Sequence, residues 1–247
     1  MLPSEPASDS QPAQLFATTR WTVVARAWEH DSPEAVEALE WLCRVYWYPL
    51  YAYVRRRGHT EDDAKDLTQE FFARLLKHKY LQFVDRNRGR FRSFLLSSLK
   101  HFIINEWNKA RREKRGGGQQ LISLDAEETE TRFRAEPADD QSPDKAFDRR
   151  WALVLLDRVL DHLRDEYTSV GQAQVFEELK FTLTGEEGEG SYAEIGQRLG
   201  ITEGNLKQKV YRLRKRYREL LREEIAQTVN IEAIDEEMRH LFAALSD

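Results

Sequence analysis

Residues 191–221 read SYAEIGQRLGITEGNLKQKVYRLRKRYRELL, and the fold follows from this stretch. Ser191 followed three residues later by Glu194 forms a capping box, the mark of a helix start. Tyr192, Ile195, Gly196 and Leu199 then fall on one helical face. Gly200 supplies a tight turn, Ile201 an apolar plug and Thr202 the cap of a second helix, whose buried stripe is Leu206, Val210, Leu213 and Tyr217. Two helices joined by a short glycine-containing turn, the second basic on its free face, define a helix-turn-helix.

The charge on that second helix is the more specific signal. Asn205 to Arg218 holds seven Lys and Arg and no acid. An exposed face of a bundle helix would intersperse Glu with Lys, because opposite charges one turn apart stabilise it. A helix laid in the major groove has a different need: early polar residues reach base edges while flanking cations hold phosphates. Thr202, Asn205, Lys207 and Gln208 have the hydrogen-bonding groups for the first task, and Lys209, Arg212 and Arg214 the charge for the second.

Outward from this unit, the chain reads as all-α: two small helical domains joined by a flexible acidic linker, the C-terminal one containing the helix-turn-helix. Residues 1–14 are rich in Pro, Ser and Gln and read as a disordered N-terminus. Residues 15–115 form the first apolar-periodic block. Within it, Ser32-Pro33-Glu34 starts one helix, which carries Val36, Leu39, Trp41, Leu42, Val45 and Tyr46 and is expected to bend near Pro49. Thr60 caps a second, which is expected to bury Ala64, Leu67, Phe71 and Leu75, with Phe72 a further candidate, and Asn87-Arg88-Gly89 is a turn. Phe91, Phe94, Leu95, Leu99, Phe102 and Ile103 trace the core face of a third. Residues 116–145 lack periodicity and read as the tether, and residues 146–228 form the second domain. Residues 229–247 read as an amphipathic helical extension carrying Ile231, Ile234, Met238, Leu241, Phe242 and Leu245, with core packing and regulator docking both consistent with its pattern.

The overall net charge of −5 hides segregation. Lys100 to Arg115 carries six Lys and Arg against two Glu, whereas Gly116 to Arg150 carries nine Asp and Glu against five Lys and Arg. Two basic patches flanking an acidic stretch suit a nucleic-acid partner. No apolar run reaches signal-peptide or membrane-helix length, and the lone Cys43 reads as a buried small hydrophobe, so a cytoplasmic setting is expected. The six His show no metal-binding spacing, and neither a P-loop nor a G-x-S-x-G element is present. Asp161-His162 reads as a solvated pair. The expectation is a protein that is not an enzyme and uses no cofactor or metal.

Two separated stretches resemble one family. Ser191 to Ile195 followed by Leu199 to Lys207 is similar to the C-terminal domain of extracytoplasmic-function (ECF) sigma factors of bacterial RNA polymerase. Asp66-Leu67-Thr68-Gln69-Glu70-Phe71-Phe72 resembles that family's polymerase-binding helix, and Phe91 to Leu95 running through Asn105 to Arg112 resembles the helix that captures the melted promoter. The resemblance covers roughly residues 30–225. It implies a transcription initiation factor whose partners are core RNA polymerase and promoter DNA. Asp66, Gln69 and Glu70 would meet basic groups of the polymerase, with Phe71 or Phe72 as anchor. Asn105, Trp107, Lys109, Arg111 and Arg112 would hold the separated strand, Trp107 by stacking unless it lies in the core. A regulator such as an anti-sigma protein is a partner class that the resemblance leaves open. The acidic, glycine-spaced stretch 184–190 and the segment around Thr18 to Trp21 depart from the family pattern.

Other function classes fit less well. A free-standing helix-turn-helix regulator would not need the acidic Asp66 to Phe72 stretch beside a basic aromatic helix. A helical adaptor leaves the Asn205 to Arg218 charge without a purpose.

Overall fold

The structure, a computed structural model, describes residues 33–77, 90–110, 126–135, 142–185 and 190–246. The described residues are helical and contain no strand: α1 Pro33–Arg56, α2 Glu61–Lys77, α3 Phe91–Ala110, α4 Ala126–Ala135, α5 Pro143–Ser169, α6 Ala173–Leu179, α7 Phe181–Thr184, α8 Tyr192–Leu199, α9 Glu203–Ala226 and, after a short 3₁₀ turn at Ile231–Ala233, α10 Ile234–Ser246. This is the expected all-α class. The expected Ser32 cap, the Asn87–Gly89 turn and residues 1–14 lie outside the described residues.

Local chemistry sets the helix starts. Thr60 Oγ1 accepts from the Asp63 amide at 3.2 Å, with Glu61, Asp62 and Asp63 in the first turn of α2, where the helix dipole favours negative charge. Ser142 accepts from the Lys145 amide at 3.3 Å and Pro143 opens α5. α1 continues through Pro49 as one helix.

The two long helices α1 and α5 lie against each other at the centre of the molecule. From Trp41 to Val54 every residue except Arg44 is buried. A helix apolar on all sides cannot face water on any of them, so it needs partners around its whole circumference. α2, α3 and α5 supply them. Phe72 stacks on Trp47 at 5.6 Å between ring centroids, and Phe91 meets Tyr46 edge-on at 5.3 Å. α5 presents Phe147, Trp151, Leu155, Val159 and Leu163 to the interior, and α6, α9 and α10 close over it. One continuous apolar core runs from Trp41 to Leu241.

This differs from two domains on a flexible acidic tether. The two blocks share a core, because the all-round apolar surface of α1 is covered only when α5 joins it. Residues 126–135 of the expected tether form α4. Glu130 explains its docking: Arg55 donates to Glu130 at 2.9 Å and Tyr51 also bonds it, while Arg132 lies over the Tyr48 ring at 4.5 Å. Burial alone would raise the Glu130 pKa, but hydrogen bonds from Arg55, Tyr51 and Arg134 outweigh it and hold the carboxyl below its usual range. A carboxyl depressed in the folded state stabilises above its unfolded pKa, and that contribution is lost as pH falls toward the folded value. Docking of α4 is therefore expected to weaken below the ordinary glutamate range. Hydrogen exchange of the α4 amides, followed from pH 7 down to about 3, checks this, and the Glu130→Gln variant should remove the pH dependence.

The C-terminal helix is tied in by charge. Glu237 of α10 is buried and pairs with Arg92 Nε at 2.6 Å and with Arg90 Nε at 2.8 Å. Arg92, itself buried, also pairs with Asp148 of α5 and lies over the Trp151 ring at 4.7 Å. Burial would lower the Arg92 pKa; the two carboxylates outweigh it and raise it. Of the apolar residues expected in the extension, Ile234, Met238 and Leu241 are buried, whereas Ile231 and Phe242 are exposed. Core packing is thus the role of this helix in the fold. Glu237→Gln leaves the Arg92 cation short of its main partner and is expected to cost about 3–5 kcal/mol, measured by urea unfolding at pH 7.

Candidate functional site

The unit 191–226 is built as its residues dictate. Glu194 accepts from the Ser191 amide at 2.7 Å while its own amide donates to Ser191 Oγ at 3.3 Å, completing the capping box of α8. These bonds from Ser191 hold the Glu194 carboxyl below its usual pKa. α8 ends at Gly200, whose φ of +66° is a left-handed conformation that favours glycine. Thr202 then caps α9, accepting from the Asn205 amide at 3.3 Å. The turn is so tight that a Cβ on Gly196 would come 2.8 Å from the Ile201 carbonyl oxygen. Leu206, Val210 and Leu213 are buried, and Tyr217 donates to the Leu156 carbonyl at 3.4 Å, seating α9 on α5.

The candidate groove-reading residues share the outer surface of α9. Thr202, Asn205, Lys207, Gln208, Arg212 and Arg214 are exposed, and Lys209 is half-buried. Their surroundings distinguish them. Thr202 is engaged as a cap, Lys207 pairs with Glu203 at 2.7 Å, Lys209 Nζ lies 3.5 Å from Gln172 Oε1 and Arg214 Nε donates to the Thr182 carbonyl at 3.2 Å. Arg216 is bound by Glu166 of α5 at 2.7 Å and, along α9 itself, by Glu223 at 3.1 Å, which raises its pKa further. It is therefore a structural cation. Tyr211, 69% exposed between these cations, is an addition to the face. Its signal was present in the sequence: it lies off the Leu206, Val210, Leu213 stripe.

On α2 the acidic face and the aromatic pair point in different directions. Asp62, Asp63, Asp66 and Glu70 are exposed and Gln69 is half-buried. Phe71 and Phe72, expected as an anchor for a partner, are 4% and 3% exposed, so neither is offered at the surface. Phe72 packs on Trp47 and Phe71 on Phe102 at 5.8 Å, because consecutive helical residues span both sides of the seam with α1 and α3. They hold the acidic face in place.

At the end of α3, Asn105 is exposed and Trp107 is 60% exposed, which settles the core alternative for this indole. The opposite face is anchored by the buried Phe102 and Ile103, with Phe94 packed against the core. Lys109 lies in the last turn of α3, and Arg111 and Arg112 fall outside the described residues. A pocket of about 170 Å³ opens beside Asn105, lined also by Phe71, Arg74, Ser98, His101 and Phe102. Among the described residues no group of His, Cys, Asp and Glu could hold a metal ion, and no helix is long and apolar enough to cross a membrane. Cys43 is buried, and burial followed by the charge of Glu40 pushes its thiol up to about 12.

These surfaces belong to an all-helical protein with an acidic face on one helix, an exposed indole at the end of the next, and a separate basic helix. Residues 25–113 match Sigma-70 region 2, a span that contains α1, α2 and α3 and covers little more than a third of the chain. Sigma-70 region 2 binds core RNA polymerase and promoter DNA in general, sigma factors as a family are transcription factors and not enzymes, and the match supports a sigma-factor role in transcription initiation. No curated protein and no solved structure matches the chain.

The α8–α9 turn is open to a direct test. Gly196→Ala puts a methyl against a backbone oxygen that no side-chain motion can relieve. It is expected to destabilise the chain by about 1–3 kcal/mol, seen as a lower urea midpoint, with faster amide exchange across 195–206.

Proposed function

We propose that this chain is a sigma factor of the ECF type, binding core RNA polymerase through α2 and promoter DNA through both the end of α3 and α9. The observation that carries this reading is the Sigma-70 region 2 match over α1–α3, followed in the same chain and outside the matched span by two helices, α8 and the basic α9, joined by a tight turn at Gly200.

The division of labour follows from charge and exposure. Asp66, Gln69 and Glu70 meet basic groups of the polymerase, with Phe71 and Phe72 acting beneath them as support. Trp107 stacks on an unpaired base, Asn105 offers an amide to its edge, and Lys109, Arg111 and Arg112 neutralise phosphates. On α9, Asn205, Lys207 and Gln208 address base edges, Thr202 orders the first turn, and Lys209, Arg212 and Arg214 hold the backbone. A polymerase-independent regulator would use the α9 face alone and leave the exposed acids of α2 and the indole of α3 without a role.

The decisive experiment uses the full chain with purified core polymerase. Asp66→Lys with Glu70→Lys should abolish co-elution while preserving helical content, and transcripts from a promoter selected by the wild-type holoenzyme should disappear. Co-elution at the wild-type level would refute the assigned surface.

DNA contact by α9 carries its own signature. Arg212→Ala is expected to reduce the slope of log affinity against log salt for duplex promoter DNA by up to about one unit, the loss of one neutralised phosphate. Fluorescence anisotropy over a range of salt concentrations measures it.

A further inference from the structure

We infer that Arg74 is a positioning residue that couples the acidic face of α2 to the strand-binding end of α3: a cation that takes Glu70 leaves Arg74 wholly to Glu106 and strengthens capture of an unpaired strand. The inference rests on the reading of these two surfaces given above, and names the link between them.

Arg74 is shared between two carboxylates on two helices. Its Nε meets Glu70 Oε1 at 2.7 Å, one turn back on α2, and its Nη2 meets Glu106 Oε1 at 2.7 Å on α3. The guanidinium also lies over the Phe102 ring, 4.9 Å from the centroid. A planar guanidinium can serve both acids while stacked, whereas a lysine ammonium has neither the fork nor the face. Because Phe102 is a core residue, the cation is held in register with both helices.

The two acids have different company. Glu70 is half exposed and belongs to the face offered to a basic partner; Glu106 is three-quarters buried and adjoins Asn105 and Trp107. The pocket beside Asn105 is walled by Arg74 itself. A carboxylate next to the strand site repels phosphate, and Arg74 offsets that repulsion. The i, i+4 pair with Glu70 is a solvent-exposed one, so an incoming cation displaces it readily. Once Glu70 is satisfied by a partner, Arg74 has one acid to neutralise, and the end of α3 becomes less negative and more firmly held. Linkage then works in both directions: strand capture favours partner binding at Glu70.

The test uses the full chain with Glu70→Gln standing in for a docked cation. Binding of a fluorescein-labelled single-stranded oligonucleotide is read by anisotropy. The environment of Trp107 is read by ¹⁹F NMR of 5-fluorotryptophan protein, its resonance assigned with Trp107→Phe. Glu70→Gln should tighten single-strand binding about fivefold, the lower end of ordinary coupling between sites, and shift the Trp107 resonance. In an Arg74→Met background the same substitution should change neither, and Arg74→Lys should not restore the coupling, although circular dichroism shows every variant equally helical. Equal effects of Glu70→Gln with and without Arg74 would overturn the inference, since a plain charge effect needs no relay. An unmoved resonance with unchanged affinity would overturn it as well. A resonance that moves only when Arg74 is present, in a chain for which no variant binds the oligonucleotide, would support the helix coupling and refute the strand-capture reading.

Discussion

Glu237 is a carboxylate from the last helix that lies in the interior against Arg92 and Arg90, at the start of a helix nearly 150 residues earlier. A buried charge is tolerated only when paired, so the position of each partner constrains the others. Arg92 brings Asp148 of α5 and the face of Trp151 into the same cluster. Three segments far apart in sequence are thereby held in one arrangement. Hydrophobic burial supplies the driving force for bringing them together, but it is not directional. The ion cluster selects one docking of α10 among the many that apolar contact alone would permit.

The closely packed centre has the same logic at lower cost per residue. α1 is apolar around its circumference, and α5 covers the side that α2 and α3 leave open. The join is sealed at its edge by Trp41, whose indole donates to Glu224 of α9 at 3.2 Å, and by Arg158 over the Trp41 ring at 5.8 Å. Acidic residues of the expected tether contribute to this. Glu130 is a hydrogen-bond acceptor for Arg55 and Tyr51, and Arg134 links it to Glu61 at 2.9 Å, the first residue of α2. Part of the acidity between the two basic patches therefore has a structural partner within the chain.

The surfaces assigned to function are what remains after these demands are met. The acids of α2 project away from the seam that Phe71 and Phe72 close. Trp107 is left outside because Phe102 and Ile103 occupy the core side of α3. The basic face of α9 is thinned, since Arg216 is paired with Glu166 of α5 and with Glu223 along α9 itself. Charge counted along a helix overstates the charge that a ligand meets, because a long side chain can fold back to a carboxylate on a neighbouring element.

Local features were legible from the residues alone. The capping box at Ser191 and Glu194, the Thr60 and Thr202 caps, the Gly200 turn and the stripe of Leu206, Val210 and Leu213 all depend on contacts within a few residues, and each is present in the structure. The resemblance of 66–72 and 91–112 to a sigma factor was also readable, and the region 2 match covers those positions. The packing of the two blocks was not anticipated, although one sign of it stood in the open: WLCRVYWYPLYAYV at 41–54 has no polar face, so a single neighbouring layer could not cover it. The pairing of Arg216 with Glu166 of α5 and the burial of Glu237 were decided only by tertiary structure, whereas the burial of Phe71 already followed from the helical pattern. Periodicity reports which side of a helix is apolar; which distant carboxylate an arginine reaches depends on how helices are arranged in space, and a linear pattern does not encode that directly.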